Sequence, residues 1–264
     1  MNVLKNKQVF LFLCNKPSVS AIDTFKDIHT TAKLSGNDAI LLYHKQGRSA
    51  IPENLSSLPI FCFTDNILSD LGYISLGSEL VPGNNHFPVL KFFRNFPDYD
   101  YYWYIEDDVR YTGNWKLFFD SFSNVHNDFI STHVQRSHVE PQWPWWDTLK
   151  YHNKSIPMEK RIRSFNPIYR ISKEALHFID QALLDGWCGH HEVLLPTLLA
   201  NAGSEIMDFG GEGEFVLSGN ESKFYIGDYT NNTAVHNPNT TFRWRPVFTT
   251  VGSITNILYH PVKN

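Results

Sequence analysis

The strongest constraint on the fold is an alternation of short apolar runs with helical patterns in the first hundred residues. Residues 8–14, 39–43 and 60–63 are apolar runs of strand length, and residues 20–34 carry apolar side chains at close to helical spacing. Strands that alternate with helices in this order form βαβ units and a mostly parallel sheet. We therefore expect an α/β protein with a mostly parallel central sheet flanked by helices, in which ligands bind beyond the carboxyl ends of the strands.

The rest of the chain continues this pattern and then becomes irregular. The segment from Gln142 to Ser164 is rich in Trp and Pro and has no clear period, so we interpret it as a loop or insertion rather than a linker between domains. The C-terminal third is polar and rich in loops. The further predicted elements are a helix over residues 86–97, strands over 101–105 and 128–132, and helices over 173–184 and 192–202.

Composition excludes several classes of protein. The hydrophobic fraction of 42% is enough for a sizeable core, and the net charge of -4 argues against a nucleic-acid-binding protein. The apolar run at residues 9–14 is too short to span a membrane. Cys14, Cys62 and Cys188 are far apart and indicate reduced thiols. We expect no transmembrane segment and a cytoplasmic protein, with peripheral association with a membrane as the alternative.

The acidic cluster Glu106-Asp107-Asp108 directly follows the aromatic strand predicted at residues 101–105. Three adjacent carboxylates repel each other, and burying them without compensation is costly. A divalent cation that prefers oxygen ligands, Mg²⁺ or Mn²⁺, would offset this repulsion and could bridge the phosphates of a nucleotide diphosphate. The alternative is a solvated turn, but a strand end is where the site of an α/β protein is expected.

The stretch from His86 through Asp120 resembles the metal-binding region of GT-A glycosyltransferases. It is especially similar to the N-acetylglucosaminyltransferases whose DXD motif reads Glu-Asp-Asp. The shared pattern is a helix, an apolar strand, Glu106-Asp107-Asp108-Val109, and then Gly113-Asn114-Trp115 leading into an aromatic helix. This resemblance implies that Asp108 binds the metal and that the two acids before it contact the sugar or the ribose.

The same resemblance implies a fold and an activity. The fold is a Rossmann-like GT-A domain over residues 1–264, with a nucleotide-sugar-binding half at about 1–112 and an acceptor-binding half at about 113–264. The activity is transfer of a sugar from a nucleotide-diphosphate sugar, with UDP favoured, to a hydroxyl of a glycan or glycolipid acceptor. Two alternatives stay open: another metal-dependent enzyme, such as a nucleotidyltransferase or phosphoesterase, and a non-catalytic carbohydrate-binding protein.

A second acid fits the resemblance, because these transferases carry a catalytic acid at the start of a helix well after the metal motif. The turn from Asp185 to Glu192 is aromatic and glycine-rich, and it delivers Glu192 to a predicted helix N-terminus, where the helix dipole favours the ionised form. Glu192 is the predicted general base for an acceptor hydroxyl, which would make direct displacement with inversion the simpler mechanism. A capping role for Glu192 is the alternative, and Asp185 is the reserve base.

A late histidine is implied as a further metal ligand. His260 lies where this residue would fall, and an imidazole ligand would favour Mn²⁺ over Mg²⁺. His236 is the competing residue, and a structural role is the alternative for either one. The neighbouring pair His190-His191 does not complete a zinc motif.

Several residues are candidates for contacts with the donor. Arg243 and Arg245 are two positions apart, so both would face the same way on an extended segment and could hold the diphosphate. A basic surface strand is the alternative. Lys263 is a further candidate for the diphosphate, and Asp65 lies in a loop predicted at the carboxyl edge of the sheet.

Four tryptophans are candidates for binding the acceptor. Three of them lie in a loop punctuated by prolines, and the fourth lies in the turn that leads to the predicted base. Their rings could stack on the faces of sugars, and ordinary packing is the alternative. The four residues are Trp143, Trp145, Trp146 and Trp187.

Overall fold

The first half of the chain forms the strand–helix units that its alternating pattern predicts. In the computed structural model, residues 6–227 and 239–263 are described. β1 and β3 have the predicted bounds, and α1, β2 and β4 differ from theirs by one residue at one end or both. Each of them contains a continuous local pattern that does not depend on distant contacts. The elements are β1 (Gln8–Cys14), α1 (Val19–Leu34), β2 (Asp38–His44), a 3₁₀ turn (Glu53–Leu55), β3 (Ile60–Phe63), α2 (Ile67–Asp70), α3 (Phe87–Asn95), β4 (Tyr101–Glu106), β5 (Arg110–Tyr111) and α4 (Trp115–Asp120).

The second half contains fewer helices and more short strands. Its predicted helices are found where the sequence places them, and the irregular segment contains a small hairpin. The elements are β6 (Phe129–Arg136), a 3₁₀ turn (Trp146–Thr148), β7 (Lys150–Tyr151), β8 (Lys154–Ser155), a 3₁₀ turn (Met158–Lys160), β9 (Ile162–Ser172), α5 (Lys173–Leu184), β10 (Trp187–Cys188), α6 (His191–Asn201), β11 (Ile206–Asp208) and β12 (Leu258–Tyr259).

A seven-stranded sheet with the order β11-β6-β9-β4-β1-β2-β3 forms the centre of the fold. The pairs that join β4, β1, β2 and β3 are parallel, and β11 is parallel to β6. β9 lies between β4 and β6 and is antiparallel to both. The prediction of an α/β fold with a mainly parallel central sheet flanked by helices is therefore confirmed.

β9 is an element that the sequence does not predict. It begins inside the segment interpreted as irregular and includes polar residues such as Arg163, Asn166 and Arg170. Hydrophobic periodicity misses such a strand, because its polar side chains are stabilised by partners that are distant in sequence. Sequence reasoning therefore missed the strand that separates β4 from β6.

The side chains of β4 alternate between two hydrophobic clusters. Tyr102 and Tyr104 belong to one cluster, and Trp103 and Ile105 belong to the other. Alternate residues of a strand point to opposite faces of a sheet, so each cluster covers one face. All four side chains are fully buried. β4 is therefore apolar on both faces until it reaches Glu106.

A two-stranded ribbon connects the C-terminal segment to the acidic cluster. β12 pairs with β5 in the register Leu258 with Tyr111 and Tyr259 with Arg110. The N–H of Val262 also donates to the backbone oxygen of Asp108 at 2.8 Å. These bonds hold residues 258–262 beside the turn that follows β4.

Two further observations concern the predictions from composition. Cys14, Cys62 and Cys188 are free thiols. Within the described residues, no helix combines the length and the apolar character needed to cross a bilayer.

Arg170 is a buried cation at the centre of the sheet, with 1% of its surface exposed. Its guanidinium donates to the backbone oxygens of Phe122 at 2.7 Å, Val125 at 2.6 Å and Asn127 at 3.3 Å. It also lies 4.2 Å from the centre of the Tyr101 ring. Burial lowers the pKa of Arg170 to about 10, so it stays charged at neutral pH. Arg170 therefore joins β9 to the loop that follows α4.

We predict that Arg170→Leu lowers the free energy of unfolding by at least about 3 kcal/mol, because it leaves buried carbonyl groups without donors. Urea unfolding followed by circular dichroism measures this change. Lys33→Met, at an exposed position in the last turn of α1, is the control and should change stability by less than about 0.5 kcal/mol. A loss for Arg170→Leu no greater than that of the control would contradict the structural role.

Candidate active site

The acidic cluster lies at the carboxyl end of the central strand β4. β4 has β1 on one side and β9 on the other. Glu106 is its last residue, and the backbone oxygen of Glu106 accepts from the N–H of Val109 in the following turn. Largely buried strands on both sides place the carboxylates at the edge of the core, where compensating partners are required.

Glu106 and Asp108 converge with His260. Their ligand atoms all lie within 4.8 Å of one another. His260 Nε2 is 3.2 Å from Asp108 Oδ1 and 3.8 Å from Glu106 Oε2. Asp108 Oδ1 is buried and, apart from the His260 imidazole, has no hydrogen-bond partner among the described residues. Two carboxylates and one imidazole are a suitable donor set for a divalent cation such as Mn²⁺. These residues therefore fit the metal that the sequence predicts.

The contacts of the His260 ring leave Nε2 available as a ligand. His260 Nδ1 is 2.8 Å from the backbone oxygen of Arg243, and a carbonyl oxygen can only accept, so Nδ1 carries a proton. The ring packs against Phe165 and Phe242, each 5.2 Å away between ring centres. A hydrogen bond from the far nitrogen to a carbonyl is the usual way to orient a metal-binding histidine.

Burial and neighbouring charges shift the pKa values of Glu106, Asp108 and His260. Burial and then the charge of Asp108 raise the pKa of Glu106 to about 7. Burial would also raise the pKa of Asp108, but His260 and Lys263 hold it below its usual value. Burial would lower the pKa of His260, but Asp108 holds it above its usual value. The carboxylates therefore depend on nearby positive charge in order to stay ionised.

Asp107 has different partners from the other two acids. The Cys14 thiol at the end of β1 lies beside its carboxylate, and the guanidinium of Arg110 donates to its backbone oxygen at 2.7 Å. Arg110 also donates to the Ser20 hydroxyl in the first turn of α1. Burial and then the charge of Asp108 raise the pKa of Asp107 to about 6. Asp107 is therefore outside the group formed by Glu106, Asp108 and His260.

Glu192 lies in the first turn of α6, at the helix N-terminus that the sequence predicts. The turn before Glu192 packs closely on the segment that contains Leu149. A Cβ at Gly189 would lie 2.9 Å from Leu149 Cα. Glu192 Oε1 accepts from the N–H of Asn166 at 3.3 Å. Its pKa is raised to about 7 by burial, while Glu106 and His260 also act on it. Glu192 therefore shares an electrostatic environment with the acidic cluster.

Three buried histidines form a stack beside Glu192. The rings of His86 and His191 are 6.2 Å apart, and those of His191 and His190 are 4.9 Å apart. The Trp145 ring stacks on His190 at 4.8 Å. Burial lowers the pKa of His86 to about 3 and that of His190 to about 4. The stack is therefore neutral at physiological pH.

The four candidate tryptophans have different environments. Trp143 and Trp145 are half-buried and lie against His190, with ring centres at 5.8 and 4.8 Å from the imidazole. Trp187 is half-buried and packs on Tyr151, 5.0 Å away. Trp146 has only 2% exposure and donates to the backbone oxygen of Glu140, so its ring belongs to the core. Trp146 is therefore not available as a stacking surface, because core packing covers it.

The candidate donor contacts Lys263, Arg243 and Arg245 have different partners. Lys263 Nζ is 3.4 Å from Asp108 Oδ2. The Arg243 guanidinium donates to the backbone oxygens of Thr240 and Pro246, whereas Arg245 is exposed.

Two other candidates lie away from the cluster. Asp65 follows β3, three strands away from β4, and its Oδ1 is 2.8 Å from His44 Nε2. Asp185 is exposed and accepts from the Tyr151 hydroxyl at 3.0 Å. The competing histidine, His236, lies outside the described residues.

Sequence reasoning missed two residues of the site. Asn85 and Tyr104 both donate hydrogen bonds to Glu106. Asn85 is 21 positions before Glu106 and precedes α3, and Tyr104 has the apolar context of a core strand. No motif distinguishes either residue from its neighbours, so only their positions in the fold reveal them.

Comparisons with known proteins find one family model of unknown function and solved structures that are distantly similar to this chain. A family model described as a protein of unknown function (DUF3405) matches residues 38–128, which include β4 and the acidic cluster. No curated protein matches the chain.

Two solved structures show distant similarity. A glycosyltransferase involved in the glycosylation of the major capsid of PBCV-1 is similar with a TM-score of 0.34 and 13% identity, over 66% of this chain and 63% of that chain. A putative glucose-1-phosphate thymidylyltransferase from Bacillus anthracis, in complex with sucrose, is similar with a TM-score of 0.41 and 10% identity, over 78% of this chain and 88% of that chain. The chain thus spans less than two thirds of the first structure, and similarity at this level assigns no activity.

We predict that His86→Phe makes the protein less sensitive to acid. The folded-state pKa of His86 is about 3, so between pH 6.5 and 4.5 the unfolded chain binds a proton at this position that the folded chain does not. The wild type therefore loses about 2 kcal/mol of stability over this range through His86, and the variant does not.

The measurement is urea unfolding of both proteins at several pH values. The difference between their unfolding free energies should grow as the pH falls. His177→Phe, at an exposed position on α5, is the control substitution, and a constant difference between wild type and His86→Phe would contradict the prediction.

Proposed function

We propose that the chain is a metal-dependent glycosyltransferase of the GT-A type. It moves a sugar from a nucleotide-diphosphate sugar, with UDP favoured, to a hydroxyl of a glycan or glycolipid acceptor. The observation that carries this proposal is the convergence of Glu106, Asp108 and His260 at the carboxyl end of a central parallel strand. This is the edge of an α/β sheet where ligands bind.

The proposed metal site has three protein ligands. Asp108 Oδ1, Glu106 Oε2 and His260 Nε2 would hold the cation, and the imidazole favours Mn²⁺ over Mg²⁺. When bound, the cation would neutralise charge on the diphosphate as it leaves the sugar. Lys263 supports this role, because its exposed ammonium bonds to Asp108 and can contact a phosphate oxygen at the same place. Arg245 is a second candidate for this contact.

The proposed general base is Glu192. In the transfer, the acceptor oxygen bonds to the anomeric carbon, the bond from that carbon to the diphosphate oxygen breaks, and the diphosphate keeps the electron pair. Glu192 takes the proton of the attacking hydroxyl. Its pKa of about 7 suits a group that accepts a proton near neutral pH. Attack opposite the leaving group inverts the anomeric configuration.

The proposed acceptor surface consists of Trp143 and Trp145. Both rings are half-buried and contact His190, which lies next to the proposed base. A sugar stacked on this surface would have a hydroxyl near Glu192. Donor binding would use residues up to about 112 together with His260, Lys263 and Arg245, and acceptor binding would use other residues of the second part, whose strand β9 lies next to β4.

The first test is binding of UDP by isothermal titration calorimetry, with and without Mn²⁺. We expect binding that requires Mn²⁺ and that Asp108→Asn weakens at least about 100-fold, because a lost ligand should cost more than a lost outer contact. Asp120→Asn, on the exposed face of α4, should bind like the wild type.

The outcomes of this titration separate the alternatives. If neither UDP nor GDP, CMP or dTDP binds to the folded protein, the transferase proposal is wrong. Glycan binding that EDTA does not change would then favour a carbohydrate-binding protein. Turnover of a nucleotide or phosphoester without an acceptor sugar would favour a nucleotidyltransferase or phosphoesterase.

We predict that Glu192→Gln lowers the transfer rate constant about 10²- to 10⁴-fold, which is the usual contribution of a general base. Binding of UDP with Mn²⁺ should stay within about twofold of the wild type, since Glu192 is not a proposed ligand. Asp185→Asn, which changes an exposed acid just before the same turn, is the matched control and should keep full activity. Full transfer activity of Glu192→Gln would eliminate Glu192 as the base.

A further inference from the structure

The two carboxylate oxygens of Glu106 have different surroundings. Oε1 accepts hydrogen bonds from Asn85 Nδ2 at 2.8 Å and from the Tyr104 hydroxyl at 3.1 Å. Oε2 lies 3.8 Å from His260 Nε2, on the side of Asp108. One oxygen is therefore occupied by protein donors, and the other faces the proposed metal ligands.

Both donors are held firmly in place. Tyr104 is fully buried, and its ring stacks on Tyr169 with ring centres 4.9 Å apart and an angle of 25° between the planes. Asn85 is 6% exposed and precedes α3.

The loop that carries Asn85 is anchored at two points. The side chain of Asn84 bonds to the backbone of Leu76 and Glu79. The N–H of His191 at the start of α6 donates to the backbone oxygen of Gly83 at 2.9 Å. These bonds hold the backbone beside Asn85 in place.

We propose that Asn85 and Tyr104 are positioning residues that fix the Glu106 carboxylate with Oε2 directed at the metal. Glu106 thereby acts as a third protein ligand, instead of contacting the sugar or ribose as the resemblance implies. This inference rests on the proposed function, because it concerns the same metal site.

The physical reason is the rotational freedom of a carboxylate. A glutamate has several rotatable bonds, and the last of them has a broad energy profile, so an unrestrained Glu106 would sample many orientations. Two donors on one oxygen remove this freedom before the cation arrives. Outer contacts of this kind typically change metal affinity about 10- to 100-fold.

The experiment measures the affinity for Mn²⁺ alone, by the electron paramagnetic resonance signal of the free ion. Tyr104→Phe and Asn85→Ala should each weaken binding about tenfold. Tyr169→Phe is the matched control: it removes the same group from the ring stacked on Tyr104, and within residues 6–227 its hydroxyl makes no hydrogen bond to Glu106. It should bind Mn²⁺ like the wild type.

A second set of variants tests whether the effect passes through Glu106. In an E106A background, Tyr104→Phe and Asn85→Ala should cause no further loss of affinity, because the group that they orient is absent. An equal loss in both backgrounds, or no loss in the wild-type background, would overturn the positioning role. Thermal unfolding without metal, which should be similar for Tyr104→Phe and Tyr169→Phe, identifies a general loss of stability.

This design separates the inference from the proposed function. If the wild type binds Mn²⁺ and Asp108→Asn does not, the metal site stands, and Tyr104→Phe and Asn85→Ala decide the positioning role. If the wild type does not bind Mn²⁺, the proposed site is wrong and the positioning role is overturned with it.

Discussion

The structure depends on compensation of negative charge at the end of a buried strand. β4 is covered on both faces by apolar clusters, and it ends at three consecutive acids. The compensation comes from Asn85, Tyr104 and His260 for Glu106, from Cys14 and Arg110 for Asp107, and from His260 with Lys263 for Asp108. These partners come from both ends of the described chain. A cluster that repels itself and still lies at the core requires such partners, and the pKa of Glu106 and of Asp107 stays raised in spite of them.

The C-terminal segment follows from the same requirement. His260 and Lys263 reach the acidic cluster because β12 pairs with β5, directly after the cluster, and because the N–H of Val262 bonds to the backbone oxygen of Asp108. The carbonyl oxygen of Arg243 sets the orientation of the His260 ring. A region whose sequence is polar and irregular therefore supplies a candidate metal ligand, His260, and a positively charged side chain, Lys263. Within residues 239–263, backbone bonds such as Phe248 N–H to Pro261 and Val262 N–H to Asp108 hold the segment, which contains only the short strand β12.

Burial shifts the pKa of several titratable groups around Glu192. Burial keeps the His86, His191 and His190 stack uncharged, and it raises the pKa of Glu192 to about 7. These effects have one cause, since a low-dielectric surrounding disfavours the charged form of an acid and of a base alike. Glu192 therefore has a raised pKa beside imidazoles that are uncharged at neutral pH. The strand β9 contacts Glu192 directly, because the backbone N–H of Asn166 donates to the Glu192 carboxylate.

The sequence by itself determined the elements whose patterns are local. Apolar runs or helical spacing predict the strands β1 to β4 and the helices α1, α3, α5 and α6 without any distant partner. The acidic cluster is evident in the sequence as three consecutive acidic residues. Only the tertiary structure decided the rest. It placed β9 between β4 and β6, buried Trp146 in the core, joined His260 to Glu106 and Asp108, and brought Asn85 and Tyr104 to one oxygen of Glu106. The reason is that strand pairing and hydrogen bonding connect residues far apart in the chain. The sequence around a polar residue does not show which distant partner will bond to it when it is buried.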